Sequence, residues 1–171
     1  MPELPDLLYI QSELTSALVG QQVTSARLAN PVVLRALIEG GLEHLIGAKL
    51  VAIERVAHFL FLRFEWQKET APSDPLELGV NPMLAGRFRV AAPGDRQEAA
   101  LGFALGFGAV ELRYLDDKQM GKVYLARAKD RDKIPALPHG GVYILGPEFT
   151  REAFRALVSK RRDQVRVFLM D

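Results

Sequence analysis

Apolar residues recur at helical spacing near the start of the chain. Leu7, Leu8, Ile10, Leu14, Leu18 and Val19 predict a helix over residues 6–19, with Gly20 as its stop. The period then changes. Val23 to Leu28 alternates and predicts a strand, Asn30-Pro31 marks a turn, and residues 32–37 fit either type. Gly40-Gly41 breaks the chain before a short helix over 42–46, closed by Gly47. Lys49 to Val56 and His58 to Phe64 read as adjacent strands. In the second, Phe59, Phe61 and Arg63 share one face, and Leu60, Leu62 and Phe64 the other. Residues 67–75 are polar and proline-bearing, which predicts a loop. Arg87 to Ala91 is the next strand, followed by a turn at 92–95. The tandem ALGF over 100–107 predicts a strand with Leu101, Phe103, Leu105 and Phe107 on one side, paired with Val110 to Tyr114. Residues 128–141 are polar and broken by Pro135, Pro138, Gly140 and Gly141. Thr150 is placed to cap a helix whose stripe is Phe154, Leu157 and Val158, and a second helical piece runs from Asp163 to Met170.

One N-terminal helix, about eight short strands and C-terminal helices predict an α+β fold, a two-sheet β-sandwich flanked by helices. The 171 residues suffice for one domain with a small appendage. The last turn, Val167 to Met170, is apolar and has no stop signal, which predicts continuation into a larger protein.

Composition changes this picture little. The chain is 49% hydrophobic and 25% charged, ordinary for a globular domain. With no Cys, disulfides and thiolate zinc sites are excluded. No apolar run approaches the ~18–20 residues of a membrane span, and no signal peptide precedes the first helix, so a cytoplasmic protein is expected. A net charge of +1 gives no basic footprint for nucleic acid. Clusters around Lys118 to Lys133 and Arg155 to Arg166 carry interspersed acids and read as solvated faces.

The candidate chemistry lies in Met1-Pro2-Glu3-Leu4-Pro5-Asp6. Proline after Met1 favours removal of Met1, which leaves Pro2 as a secondary amine. Such amines have a pKa of roughly 7.7–8.0 and attack aldehyde carbons to give an iminium. Glu3 follows with a carboxylate. The plainer alternative is that Pro2 and Pro5 stiffen the entry to a helix.

The opening string resembles the start of the formamidopyrimidine-DNA glycosylase / endonuclease VIII family. Leu112-Arg113-Tyr114-Leu115-Asp116-Asp117-Lys118-Gln119-Met120-Gly121, Leu145-Gly146-Pro147-Glu148, Arg55 to Leu60 and Asn81 to Gly86 resemble further segments of that family. The resemblance implies a β-sandwich forming one wall of a DNA cleft, spanning residues 1–148. Residues 149–171 would begin a helical region leading to a helix–two-turn–helix domain and a zinc finger that this sequence lacks. Zinc is expected there, and no cofactor in the present chain. The implied activity is that of a DNA-repair glycosylase and AP lyase that removes oxidised bases. Pro2 would attack C1′ of a flipped nucleotide and Glu3 would help protonate the ring oxygen. The family's lysine is replaced by His58, an imidazole mostly neutral at neutral pH. Its three-residue wedge of Met, Arg and Phe maps onto Leu84, Lys118 and Met120. Asp6 stands where the family usually has Glu, and Leu8 where it usually has an acid. These departures imply a divergent member. The alternatives are a non-catalytic DNA-binding paralogue and a domain inactive in isolation. The implied partner is damaged double-stranded DNA, bound by a monomer at the bacterial nucleoid and by no membrane. The 171 residues alone are expected to be weak or inactive.

Overall fold

The computed structural model describes residues 2–66, 74–135, 137, 144–162 and 164. The chain divides into two compact units, residues 1–137 and 138–171.

In the first unit, helix α1 (Leu4–Leu18) begins two residues before the predicted boundary. The reason is a capping box. The Asp6 carboxylate accepts from the Glu3 backbone N–H at 2.8 Å, while the Glu3 side chain caps the Asp6 backbone N–H. Pro5 lies in the first turn, where its missing N–H removes no helical bond. Leu7, Leu14 and Leu18 form the buried face, and Leu8 and Tyr9 face outward.

Nine strands follow among the described residues, one more than the approximate number expected: β1 (Ser25–Leu28), β2 (Leu34–Ala36), β3 (Lys49–Val56), β4 (Phe59–Glu65), β5 (Leu76–Asn81), β6 (Arg87–Ala91), β7 (Leu101–Gly106), β8 (Glu111–Leu115) and β9 (Lys122–Arg127). They form a four-stranded sheet, β1-β7-β8-β6, and a five-stranded sheet, β2-β9-β5-β4-β3. The pairings are antiparallel except β2 with β9, which is parallel. The predicted two-sheet α+β sandwich is therefore the observed fold. The periodicity did not disclose β5 and β9, because both are buried on the two faces of their sheet.

The main core lies between the sheets. Leu62, Phe64, Leu78, Val80, Val123 and Leu125 meet Phe103, Leu105, Leu112 and Tyr114, with Leu14 and Leu18 of α1 against them. Each such side chain contributes about 1.5–3 kcal/mol by leaving water. Alternation along β4 sends Phe59 and Phe61 to the opposite face, as its sequence predicts, where they join Tyr124, Ala126, Ile134 and Leu137 in a second cluster. A 3-10 helix (Ala128–Lys133) brings Arg131 to this face. Arg131 donates to both Glu77 oxygens at 2.7 and 2.6 Å and to Glu54 at 2.8 Å, with its guanidinium 4.5 Å from the centre of the Phe61 ring. Glu77 is 1% exposed, so this pairing is what permits a carboxylate inside β5.

One predicted stripe is corrected. The β7–β8 register shifts between Leu101 and Phe103, so Leu101 leaves the face shared by Phe103, Leu105 and Phe107. It joins Ala104 and Leu115 in a small separate cluster. On β8, Arg113 is 1% exposed and donates to Glu111 (2.6 Å), Glu98 (3.0 Å) and the carbonyls of Arg96 (3.0 Å) and Asp95 (3.1 Å). It ties the turn after β6 to the sheet.

In the second unit, α2 (Arg151–Val158) is capped as predicted: the Thr150 hydroxyl accepts from the Ala153 backbone N–H at 3.1 Å. Phe149 packs edge-on against Phe154 at 5.8 Å. Apart from Gln164, the helical piece expected over 163–170 lies outside the described residues, as does 67–73 of the expected loop. No described helix is long and apolar enough to cross a membrane.

Candidate active-site cleft at the N-terminus

Pro2 lines a cleft of about 520 Å³ with Asp6 and Ile10 of α1, Leu84 to Gly86 of the β5–β6 loop, Arg87 and Phe88 of β6, and Asp117 of the β8–β9 loop. Two loops thus flank the proline, and each is shaped by a buried side chain that turns back on its own backbone. In the first, the Asn81 side chain accepts from the Met83 N–H at 3.0 Å, Met83 adopts a φ of 51°, and the Gly86 N–H donates to the Pro82 carbonyl at 2.8 Å. In the second, the Asp116 carboxylate accepts from the N–H groups of Lys118 (3.2 Å) and Gly121 (2.6 Å), and Gln119 adopts a φ of 54°. Both loops leave an apolar side chain in solvent: Leu84 is 63% and Met120 44% exposed. Lys118 is exposed beside Met120, and its ammonium has no partner among the described residues.

The loops share one floor. The Tyr114 hydroxyl is buried and has no hydrogen-bond partner among the described residues. It lies so close to Gly86 and Gly121 that a Cβ at either glycine would overlap it. Burial, reinforced by the charge of Asp116, pushes its pKa well above the ordinary phenol value. The tyrosine is a neutral, rigid strut under both loops.

Among the residues singled out from the sequence, Pro2 and Leu84 share the cleft, and Lys118 and Met120 belong to the loop that adds Asp117 to it. Glu3 is exposed at the cap of α1 and does not line the cavity. His58 departs from expectation. It is not a strand residue but the second residue of the tight β3–β4 turn, where Val56 pairs with Phe59 and Ala57 takes a φ of 51°. The Arg55 guanidinium donates to the Ala57 carbonyl at 2.8 Å and braces the turn. His58 is exposed and does not line the cleft. It nevertheless lies at the same end of the domain as Pro2. The Gly20 N–H bonds the Leu50 carbonyl and the Gln11 side chain bonds the Ile53 carbonyl, so β3 runs back along α1. From Gln11 to Pro2 the helix rises about 13 Å, and from Ile53 to Val56 the strand rises about 10 Å. The β3–β4 turn therefore reaches the level of the α1 N-terminus.

Sequence reasoning missed Arg87 and Asp117 as cleft residues and Tyr114 as their support. Asp117 sat inside a recognised segment and was legible in principle. The isolation of Arg87 depends on which carboxylates its neighbours use, which no local pattern encodes. Among the described residues no three His, Asp or Glu side chains cluster as a metal site.

Fold and site together define a β-sandwich domain with an N-terminal proline set between two apolar-tipped loops. The sequence model of the formamidopyrimidine-DNA glycosylase N-terminal domain matches residues 1–123. The formamidopyrimidine-DNA glycosylase of Xanthomonas campestris pv. campestris is 33% identical over 175 residues, covering 100% of this chain and 60% of that protein. The enzyme of that name from Moorella thermoacetica is 26% identical over 174 residues with the same coverage. A crystal structure of Lactococcus lactis Fpg with DNA containing an abasic site superposes with a TM-score of 0.67 at 22% identity, covering 75% of this chain and 45% of that one. The chain belongs to the formamidopyrimidine-DNA glycosylase N-terminal domain family, and it spans 60% of the length of these two relatives.

Proposed function

We propose that the chain is the catalytic N-terminal part of a DNA-repair glycosylase with AP lyase activity, acting on damaged double-stranded DNA in the bacterial cytoplasm. The observation that carries this reading is the position of Pro2 in the cleft beside Leu84. Family membership and the names of the relatives support it.

In the proposed reaction, removal of Met1 frees the Pro2 nitrogen. Its lone pair forms a bond to C1′ of a flipped nucleotide, and the bond from C1′ to the base breaks, the base leaving with that electron pair and gaining a proton. The sugar ring opens as Glu3 delivers a proton to the ring oxygen. The Pro2 nitrogen loses its own proton and the iminium forms. Successive eliminations then release the two flanking phosphates. His58 approaches the phosphates of the nucleotide from the β3–β4 turn. Leu84 and Met120 fill the vacated stack as apolar wedges, and Lys118 holds a phosphate. With His58 and Lys118 in place of stronger cation anchors, the chain is a divergent member of its family.

Borohydride reduction in the presence of a duplex with an abasic site tests the reading. A covalent adduct is expected with the full-length protein after removal of Met1. None is expected with a chain bearing one additional N-terminal residue, in which Pro2 is an amide. An adduct with the extended chain would remove Pro2 from the mechanism. Binding to the abasic duplex with no adduct would identify a non-catalytic damage binder instead.

A further inference from the structure

Arg87 opens β6, the edge strand of the four-stranded sheet, directly after Gly86 of the Leu84 loop. Phe88 turns inward against the core, so Arg87 and Arg89 project outward. Their fates differ. Arg89 is held by Glu98 and Asp95. Arg87 is exposed and makes no ion pair or hydrogen bond among the described residues. The other charged residues lining the cleft, Asp6 and Asp117, are acidic. Asp6 is already occupied in capping the Glu3 N–H.

We propose that Arg87 is a phosphodiester-binding residue of the Pro2 cleft, gripping the backbone phosphate beside the sugar that Pro2 attacks. The inference rests on the reading of the cleft as the entry of a DNA strand. A strand whose C1′ reaches Pro2 must carry a phosphate to the cavity wall, because successive phosphates are one nucleotide apart. Two carboxylates on that wall repel the phosphate, and Arg87 offsets them. Its guanidinium is permanently charged and presents a planar fork that matches two phosphate oxygens. His58 lies in its turn outside the cleft. Arg87 thus places a cation on the cleft wall, which His58 does not line.

The test is anisotropy titration of the full-length protein, of which this chain is proposed to be the N-terminal part, against a duplex bearing a tetrahydrofuran abasic analogue, from about 25 to 200 mM salt. Arg87→Ala is expected to weaken binding about tenfold. It should also reduce the magnitude of the slope of log K against log salt by about 0.9, the loss of one phosphate contact. Arg87→Lys should restore the slope while recovering only part of the affinity, since it keeps the charge and loses the fork. The loss should be equal on undamaged duplex, because a phosphate contact carries no base information. An unchanged slope in Arg87→Ala, or no recovery of slope in Arg87→Lys, overturns the assignment. Binding without borohydride trapping, together with the expected change of slope, overturns the glycosylase reading and supports the phosphate site. Failure of the wild-type full-length protein to bind either duplex at about 25 mM salt overturns both.

Discussion

The outer face of the five-stranded sheet and the Pro2 cleft use charge in opposite ways. On the outer face, Arg131, Glu77 and Glu54 satisfy one another, and the guanidinium also covers Phe61. In the cleft, Arg87 and Asp117 have no ionic partner among the described residues. The cleft is shaped by its backbone instead: two side-chain-capped turns, left-handed residues at Met83 and Gln119, and glycines at 86 and 121 that let loops approach Tyr114. One region commits its charges to folding. The other obtains its shape largely from main-chain geometry and leaves Arg87 and Asp117 unpaired among the described residues.

Substitutions should separate the two regions. The largest effect is expected at Arg131→Met, which strands Glu77 without a partner. Denaturant unfolding should show a loss of about 3–5 kcal/mol. Adding Glu77→Leu should recover most of it, because an apolar pair of similar volume does not have to be desolvated as charge. A harmless Arg131→Met would break the contrast. Next is Gly86→Ala, whose Cβ would meet the Tyr114 hydroxyl and lie 2.5 Å from the Pro82 carbonyl oxygen. Overpacking of this kind costs about 1–3 kcal/mol, readable as a lower melting temperature, and should distort the Leu84 loop. Ala57→Gly should do the reverse. It relieves a left-handed residue in the β3–β4 turn and should gain about 0.5–1 kcal/mol in the same assay. Smallest in stability are Leu84→Ala and Met120→Ala. Both side chains are exposed, so unfolding should change by less than about 0.5 kcal/mol. Affinity for abasic duplex should nonetheless fall about tenfold if the side chains are buried in the stack. Parallel losses of stability and affinity would mean that the cleft, too, is built from side-chain packing.

Legibility in the sequence followed the same division. Wherever one face of an element is buried and the other is wet, the period reports it, as in α1. In β4 the two predicted faces are real, and each feeds a different cluster. β5 was hidden because Leu76 to Asn81 is buried on both faces and contains Glu77, whose partner lies 54 residues away. Leu101 was misplaced because a bulge adds one residue and reverses the side on which it lies. His58 was read as a strand residue because nothing local announces that Ala57 adopts a conformation more usual for glycine. That Pro2 and Leu84 belong together was legible through segments that resemble a family, and both line the one cleft. The glycine clearances around Tyr114 were not, since they are distances between loops remote in sequence.

The place of β9 in its sheet also sets an order of events. β9 is the last strand among the described residues, yet it lies between β2 and β5. Until Lys122–Arg127 is available, β2 has no neighbour in its sheet and β5 keeps an open edge. During synthesis, then, a nascent chain exposes half-built sheet until nearly the whole domain has emerged from the ribosome. Closure joins residues 34–36 to 123–125, a separation that makes for slow, non-local folding. Shortening the chain by its ninth strand would therefore remove the keystone of the sheet rather than trim its border.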